Sequence, residues 1–417
     1  MSVSAPSMVL SFEDARRTVE EHAAKVSSPA VESLDLLATS GRVLAEPVPA
    51  DRDIPPFPRS TRDGYAVLSA DVASLPATLD VIGEIKAGAD AEAISSRVNS
   101  GEAVSIMTGA PVPAGADAVV MVEHTSRHQH RVEITKGITA GENIVAQGAE
   151  ARKGSLLLDR GIRLNEAAIA LAASAGKSHL SVYMRPRIAL LSTGDELVDV
   201  NATPGPTQIR NSNSYSLAAQ IVRAGGEPAI LPIAPDEPGA LRALIEKGFQ
   251  SDLLLMTGGV SVGRYDLVEQ VLSEMGAQFL FTGAKIQPGR PVVFGRMPAG
   301  RFVATDRYFF GLPGNPVSTM VTFELFARPM VEALSRQLPR PLQFLHARLK
   351  SEVQVKPGLT RFLPANLAGE FDRSEVELVR WQGSGDIAAV ARANCYAVIP
   401  PDRETIAAGE WIAILMR

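Results

Sequence analysis

The chain has 417 residues, of which 46% are apolar and 21% charged, and its formal net charge at pH 7 is -5. A chain of this length exceeds what one hydrophobic core normally supports, so we expect two to four domains. The acidic balance gives no electrostatic support for a nucleic-acid partner, and an anionic substrate would need a local basic cluster.

Cysteine usage and hydropathy indicate a cytoplasmic protein with no membrane partner. The single cysteine, Cys395, excludes an internal disulfide framework and is typical of a reducing compartment. Residues 1–12 lack a basic stretch followed by an apolar core, so no signal peptide is expected. The most apolar helical run, at 167–175, is far shorter than the roughly 20 residues that a membrane span needs.

Two helices and a β-rich segment are expected in the first 182 residues. Ser11 can cap one helix, with Asp14 at the capping-box position. Asn165 can cap a second helix, which Gly176 closes. Between them lie short alternating segments bounded by Gly and Pro, which are typical of strands. We therefore expect the two helices to pack together in one domain, with a β-rich domain inserted between them.

From about residue 183 strands and helices alternate regularly. This alternation argues for a parallel sheet covered by helices on both faces. After Leu338 the apolar period returns to two, which indicates a separate small β domain. The predicted strands are 187–191, 228–233 and 252–256, and the predicted helices are 214–224, 238–249, 267–275 and a long one after Pro316. Further apolar runs lie at 278–281, 291–294 and 301–304.

Four domains follow from these patterns, and the fold class is multidomain, part α/β and part all-β. The predicted boundaries are 1–50 with 148–182 for a helical linker domain, 51–147 for the β-rich insert, 183–338 for the α/β domain and 339–417 for the C-terminal β domain.

Three glycine-bearing loops are predicted at the carboxyl ends of the α/β strands, where open sheets bind ligands. They span 192–196, 257–263 and 311–318. Glycines let backbone N–H groups approach an anion closely, and a helix N-terminus adds a favourable dipole. One such turn alone is more often plain geometry, whereas three on one edge favour a phosphate cradle. The substrate-binding candidates here are Thr193, Gly194, Gly258, Gly259, Ser261, Pro313, Gly314, Asn315 and Ser318.

Four carboxylates follow the same strands: Asp195, Glu196, Asp236 and Asp266. Hard oxygen ligands of this kind suit Mg²⁺, which usually bridges to substrate phosphates. Helix capping is an equally good explanation for Asp236 and Asp266, and spacing alone leaves both interpretations open.

Three further features of the sequence are a basic turn, a group of histidines and the single cysteine. Lys285 and Arg290 flank a tight turn, and Arg290 could clamp an oxyanion through two donors, although a solvated turn is the simpler interpretation. The histidines at positions 124, 128 and 130 sit among polar residues typical of an exposed hairpin, with no zinc framework beside them. Cys395 lies in an apolar stretch and is expected to pack rather than react.

Seven segments, in order along nearly the whole chain, resemble motifs of the molybdopterin molybdenumtransferases, the family that includes the C-terminal region of gephyrin. The segment PPFPRSTRDGYA at 55–66 resembles the opening of that family's insert domain. The other six are 106–113, 116–120, 192–197, 208–213, 258–263 with Asp266, and 312–318.

The resemblance implies a molybdopterin-binding α/β domain, a small barrel-like C-terminal domain and a homodimer. Each cleft would combine the insert domain of one protomer with the α/β and C-terminal domains of the other. By position, the catalytic residues would be Asp63, Thr108, Glu196, Asp236 and Asp266. The same four carboxylates would hold Mg²⁺, and Ser384 would line the cleft from the C-terminal domain.

The implied reaction inserts molybdate into adenylylated molybdopterin and releases AMP, with the phosphates against the glycine loops and the N-terminus of the Asn315 helix. Other cofactor-assembly enzymes are further candidate partners. Molybdopterin adenylylation and an inactive pterin-binding scaffold are the alternatives. The scaffold stays open because Gln287 and Leu359 stand where the family commonly has basic residues, and Arg62 stands where methionine is common. Lys285, Arg290 and Arg361 are the candidates to supply the missing charge.

Overall fold

The computed structural model describes residues 8–27, 29–89, 97–259, 267–370 and 373–417. Two predicted site residues, Ser261 and Asp266, lie outside these ranges. In the described ranges, no helix is long and apolar enough to cross a membrane.

A six-stranded sheet forms the centre of the α/β domain. Four neighbouring strands are parallel, as predicted, and two strands at one edge are antiparallel. In spatial order the strands are Glu227–Ile230, Arg187–Ser192, Leu253–Thr257, Arg307–Leu312, Val293–Met297 and Gln278–Phe281.

One strand of this sheet lies later in the chain than the sequence indicated. The apolar run at 301–304 forms a turn, in which the Gly300 N–H donates to the Val303 carbonyl at 2.8 Å. The strand is Arg307–Leu312, whose aromatic centre is buried between strands on both sides. The apolar run at 301–304 is therefore not itself a strand.

Helices cover both faces of the sheet. Successive residues of the Arg187–Ser192 strand face opposite ways, so Ile188 and Leu190 join one hydrophobic cluster while Ala189 and Leu191 join another. The first face carries Asn213–Ala224 and a continuous helical stretch made of Pro316–Thr322, the π-helical Phe323–Ala327 and Arg328–Leu334. The second face carries Pro238–Gly248 and Leu267–Glu274.

The first helix of the chain, Phe12–Ala23, also packs on this sheet. Ser11 caps it as predicted, its hydroxyl accepting the Asp14 N–H at 3.0 Å. Its buried face belongs to the same cluster as the Arg328–Leu334 helix. The second helix, Glu166–Ser174, is capped by Asn165 and belongs to a different cluster. The expectation that these two helices pack together is therefore wrong, because an apolar stripe does not specify which surface covers it.

The rest of the predicted linker region contains more strand than expected. Besides Glu166–Ser174 it has a 3₁₀ turn, Leu36–Thr39, and two antiparallel pairs around one small core. The pairs are Val31–Asp35 with His179–Tyr183, and Val48–Pro49 with Leu156–Leu158.

A six-stranded sheet forms the β-rich insert. In spatial order its strands are Ala118–Met121, Gly64–Val67, Glu102–Ile106, Ala77–Ile85, Arg131–Ile134 and Thr125–His128. Short elements accompany it: Arg59–Ser60 paired with Ile144–Val145, and the 3₁₀ turns Ser69–Val72 and Val122–His124.

The C-terminal region forms a closed five-stranded barrel. Closure depends on Thr360–Ala368, which pairs with Glu375–Leu378 through one end and with Cys395–Ile399 through the other. The remaining barrel strands are Phe344–Leu349 and Trp411–Met416, accompanied by the pair Val353–Gln354 with Thr405–Ile406 and the helix Ile387–Arg392.

Three short parallel pairings join distant parts of the chain: Val9–Leu10 with Gly283–Ala284, Leu197–Val198 with Ile209–Arg210, and Ile286–Gln287 with the start of the barrel strand at Thr360. The last pairing ties the α/β domain to the barrel. The four predicted domain boundaries themselves stay predictions.

Candidate functional site

A cleft of about 390 Å³ opens at the carboxyl edge of the α/β sheet. The parallel strands Arg187–Ser192 and Leu253–Thr257 end at this edge, so the loops that follow them lie side by side. The lining residues are Thr193, Gly194, Glu196, Asp236, Gly258, Gly259, Leu267, Val268 and Gln270. Six of these were predicted from sequence, and the helix residues Leu267, Val268 and Gln270 were not.

Asp236 is held in the cleft by a hydroxyl. Thr193 is 4% exposed, and its Oγ1 donates to Asp236 Oδ1 at 2.9 Å. The Asp236 N–H donates in turn to Asp195 Oδ1 at 3.1 Å. These bonds orient one carboxylate oxygen of Asp236 and leave Oδ2 for a ligand. Sequence reasoning placed Asp195 among the carboxylates, and here it acts on the backbone of Asp236.

Two glycines of the cleft have backbone conformations that favour glycine. Gly258 has φ +86°, and a Cβ on it would lie 2.3 Å from the Thr193 carbonyl oxygen, so the approach of the two loops leaves no room for a side chain. Gly194 has φ +141°, a conformation that other residues rarely adopt. At both positions the backbone itself lines the cleft.

A buried hydroxyl network supports these loops from below. Ser192 Oγ lies 2.9 Å from Thr257 Oγ1 and 3.0 Å from Ser214 Oγ. Asn211 completes it, donating from Nδ2 to Ser214 Oγ at 2.9 Å. Sequence reasoning assigned none of these four a role, although Asn211 lies in one of the motif segments. The network fixes the carboxyl ends of both strands that carry the cleft.

The third glycine loop, residues 311–318, lies next to Gly258 at the cleft. A Cβ on Gly314 would lie 3.6 Å from the Gly258 Cα, and Asn213 Nδ2 donates to the Gly314 carbonyl at 2.7 Å. Gly314 and Asn315 are exposed, whereas Pro313 and Ser318 are buried. The Pro313 carbonyl accepts the Thr319 hydroxyl, so it stabilises the loop from inside.

The C-terminal region contributes to this loop through Ser384. Its carbonyl oxygen accepts the Val317 N–H at 3.0 Å. One N–H at the start of the Pro316–Thr322 helix is therefore already bonded to protein. Pro316 has no N–H. Fewer backbone N–H donors are therefore available to a phosphate at this helix N-terminus than the sequence suggested.

The basic turn lies against the same helix. A Cβ on Gly289 would contact the Thr322 methyl group at 2.4 Å and the Ser318 carbonyl at 3.5 Å. Lys285, Gln287 and Arg290 are all exposed. The turn therefore presents its side chains to solvent beside the third loop.

Arg361 is the partner of Gln287 across the parallel ladder and is only 7% exposed. Its Nη1 donates to the Leu359 carbonyl at 3.2 Å, and burial lowers the pKa of the guanidinium. The side chain thus brings a positive charge to the Leu359 turn.

Asp63 and Thr108 form a separate pair at the edge of the insert sheet. Asp63 Oδ1 accepts the Thr108 N–H at 2.6 Å and the Thr108 hydroxyl at 2.8 Å. These two hydrogen bonds lower the pKa of the exposed Asp63 carboxyl. Between this pair and the cleft residues, the described part of the chain contains no hydrogen bond or salt bridge.

The described ranges contain no group of three or more His, Cys, Asp or Glu side chains placed to hold a metal ion. Glu196 and Asp236 nevertheless line one cleft, and Mg²⁺ commonly takes only one or two carboxylates plus substrate phosphates. The carboxylates present therefore fit the ion. His128 and His130 are exposed, in agreement with the hairpin interpretation. Cys395 is buried, its thiol donates to the Ala365 carbonyl at 3.3 Å, and burial raises its pKa.

Three protein families match the chain in order. The MoeA N-terminal region (domain I and II) matches residues 10–176, the probable molybdopterin binding domain matches 189–333, and the MoeA C-terminal region (domain IV) matches 346–416. A structure titled molybdopterin biosynthesis MoeA protein from Pyrococcus horikoshii is 32% identical, with a TM-score of 0.70, covering 98% of this chain and 99% of that one. A second structure from that organism is 26% identical, with a TM-score of 0.77, covering 98% and 100%.

Full-length relatives agree with the domain matches. A molybdopterin molybdenumtransferase from Nostoc sp. is 34% identical over 396 residues, covering 92% of this chain and 88% of the relative. The enzyme of that name from Bacillus subtilis is 32% identical over 385 residues, covering 90% and 87%. With the fold, the order of domains and the length all shared, this chain belongs to the molybdopterin molybdenumtransferase family.

Proposed function

We propose that this protein is a transferase that inserts molybdate into adenylylated molybdopterin, giving molybdenum cofactor and AMP. The observation that carries the proposal is the cleft in which Glu196 and the Thr193-bound Asp236 face the glycine loops. A substrate with a phosphoanhydride and a dithiolene needs backbone donors, oriented carboxylates and nearby cations, and all three lie at this edge of the sheet.

Different residues of the cleft would bind the phosphates, hold Mg²⁺ and orient a carboxylate. Loop backbone at Gly194, Gly258 and Gly259 lets phosphate oxygens approach closely. Glu196 and Asp236 would hold Mg²⁺, with Asp63 and Asp266 as the further predicted ligands. When bound, Mg²⁺ neutralises charge on the phosphoanhydride. Thr193 keeps the Asp236 carboxylate in one orientation throughout.

The oxyanion substrate would be held by the cations next to the third loop. Arg290 and Lys285 are exposed on the turn, and Arg361 lies across the ladder from Gln287. Guanidinium groups offer a planar fork of donors that matches an oxyanion. Ser384 would reach the substrate with its hydroxyl, because its carbonyl is bonded to Val317.

We also propose that the protein acts as a homodimer. The Asn213–Ala224 helix exposes Tyr215 at 48% and Val222 at 49%, two turns apart on one side, and Ile209 before it is 58% exposed. A second copy of the chain would cover this apolar surface. Assembly would also allow Asp63 and Thr108 of one protomer to meet a cleft of the other.

Two alternatives make different predictions. Molybdopterin adenylylation is disfavoured because the insert carrying Asp63 and the C-terminal barrel have no place in the single-domain family that performs it. An inactive scaffold would retain pterin binding alone.

The test is to mix the purified protein with adenylylated molybdopterin, molybdate and Mg²⁺, and to measure cofactor and AMP. Formation of both cofactor and AMP supports the proposal. Binding of the pterin without turnover supports the scaffold. If the protein neither binds the pterin nor forms the products, the proposal is rejected. The cytoplasmic location and partner assembly enzymes stay predictions.

A further inference from the structure

A second concave surface lies away from the proposed catalytic cleft and is rich in arginine. It has a volume of about 380 Å³ and lies between the Phe12–Ala23 helix, the Arg328–Leu334 helix, the segment 337–343 and the end of the last barrel strand. We call it the arginine groove. Its six arginines are Arg16, Arg163, Arg223, Arg328, Arg340 and Arg417.

We propose that the arginine groove binds a phosphate group, either free phosphate or a phosphate monoester. Among the described residues, the lining contains two acidic side chains, Glu324 and Glu332, against the six arginines. The whole chain carries a net charge of -5, so this local excess of positive charge is opposite in sign to the rest of the molecule.

Both acidic residues already have partners. Glu324 is 4% exposed and forms ion pairs with Arg223 and Arg328, and Glu332 pairs with Arg328 at 2.8 Å. Arg16 is also satisfied, through Glu20 at 2.6 Å on its own helix. These contacts account for three of the six arginines.

The other three arginines have no carboxylate partner within the described ranges. Arg163 donates to the Gly41 and Arg223 carbonyls, and Arg417 donates to the Val390 and Ala393 carbonyls. Arg340 has neither a hydrogen bond nor an ion pair in those ranges. Burial lowers the pKa of Arg163, and although Glu332 opposes this shift, the like charges of Arg328, Arg185 and Arg340 add to it.

Within the described ranges Arg340 is thus an unpaired cation on a concave surface that already holds a surplus of positive charge. This arrangement indicates that an anion completes the site.

The shape and charge of the groove select the class of ligand. Arginine binds phosphate through two parallel N–H donors, and a dianion neutralises the surplus better than a carboxylate does. A cavity of this volume suits a small ligand, whereas a nucleic-acid duplex would need an extended basic surface. Because its lining comes from the α/β helices, the linker residue Arg163 and the barrel residue Arg417, a bound anion would hold three regions together.

The test uses the full-length protein at low ionic strength. Inorganic phosphate and glycerol 3-phosphate are titrated separately by calorimetry and by thermal denaturation, against wild type, Arg340→Ala and Arg380→Ala. Arg340→Ala removes a side chain with no partner in the described ranges, so its folding should be intact. Arg380 is exposed and outside the groove, and Arg380→Ala is the matched control.

We expect saturable binding that raises the melting temperature, weakened about tenfold or more by Arg340→Ala and unchanged by Arg380→Ala. Response to both compounds identifies free phosphate as sufficient, and response to the ester alone identifies a phosphorylated metabolite. Absence of saturable binding by either compound, or equal binding by Arg340→Ala and wild type, would overturn the proposal. Cofactor synthesis is not the readout, so this result is independent of the proposed catalytic function.

Discussion

The carbonyl oxygen of Ser384 accepts the N–H of Val317 at 3.0 Å, which joins the C-terminal region to the helix that follows the third glycine loop. Because the contact uses backbone atoms, Ser384→Ala should leave it in place and leave the melting temperature unchanged. Any loss of substrate affinity in that variant then reports the hydroxyl alone. A drop in stability would show that the side chain supports the fold, and would remove Ser384 from the predicted binding residues.

The Thr193–Asp236 hydrogen bond is expected to matter for turnover. Thr193→Val removes the hydroxyl and keeps the shape, so the Asp236 carboxylate loses its orientation. A hydrogen bond to a charged group is worth about 1.5–3 kcal/mol, and we expect cofactor formation to slow roughly tenfold. Thr193→Ser is the matched control and should retain most of the rate. Equal rates for the valine variant and wild type, with both folded, would contradict a positioning role.

Asp63 should stay ionised well into the acidic range. Its pKa is lowered by the two hydrogen bonds from Thr108, so the stabilisation by this pair is present above the unfolded-state pKa and is lost as pH falls through the lower folded value. Thr108→Val removes one of the two bonds and should raise the pKa of Asp63. A carboxyl titration followed by NMR measures both values. An unchanged midpoint would show that the hydroxyl bond does not favour the charged form.

Removal of the charge itself tests metal binding. Asp63→Asn should abolish Mg²⁺-dependent turnover and leave the melting temperature near that of wild type, because the side chain is exposed. Mg²⁺ titration of cofactor formation is the measurement. Normal turnover in the asparagine variant would reduce Asp63 to a surface charge.

The contributions of Arg290 and Gln287, which lie on the same basic turn, can be compared by substitution. Arg290→Ala should raise the molybdate or pterin requirement at least about tenfold, since a lost charge-assisted hydrogen bond costs about 1.5–3 kcal/mol. Gln287→Ala should have a much smaller effect. If both substitutions prove equally damaging, Gln287 is itself a ligand and the idea of compensation by Arg290 is wrong.

The exposed helix face predicts self-association. Wild-type protein should sediment as a dimer at micromolar concentration, and Val222→Glu should shift it toward the 44.3 kDa monomer with loss of activity. The control is Ile387→Glu, because Ile387 is 42% exposed but does not belong to the Asn213–Ala224 helix. This variant should remain dimeric. A fully active monomer would contradict a site shared between protomers.

Prediction from the sequence was most reliable where the hydrophobic periodicity was clear and capping residues or glycines marked the ends of an element. The start of the helix capped by Ser11 and the strand ending at Thr257 were placed within one residue, because a capping residue marks the first and glycines follow the second. The same glycines identified the cleft. Its supporting hydroxyl network escaped detection because Ser192 and Thr257 are brought together only by strand pairing.

Other features depended on tertiary partners that one sequence does not reveal. The Phe12–Ala23 helix has a clear apolar face, yet nothing in it distinguishes the α/β core from the linker core. Likewise the sequence offers Arg361 as a candidate to supply the missing charge, and only its register with Gln287 places it beside the basic turn.

The packing of the Phe12–Ala23 helix on the α/β sheet has a consequence for how the chain folds during synthesis. The helix leaves the ribosome early, whereas its partner Arg328–Leu334 follows only after some 300 further residues. At roughly 5–20 residues per second this delay is on the order of 15–60 s. Throughout that time Ala15 and Val19 have no surface to cover them. The insert can complete its own sheet meanwhile, so the core that packs this helix closes after the insert.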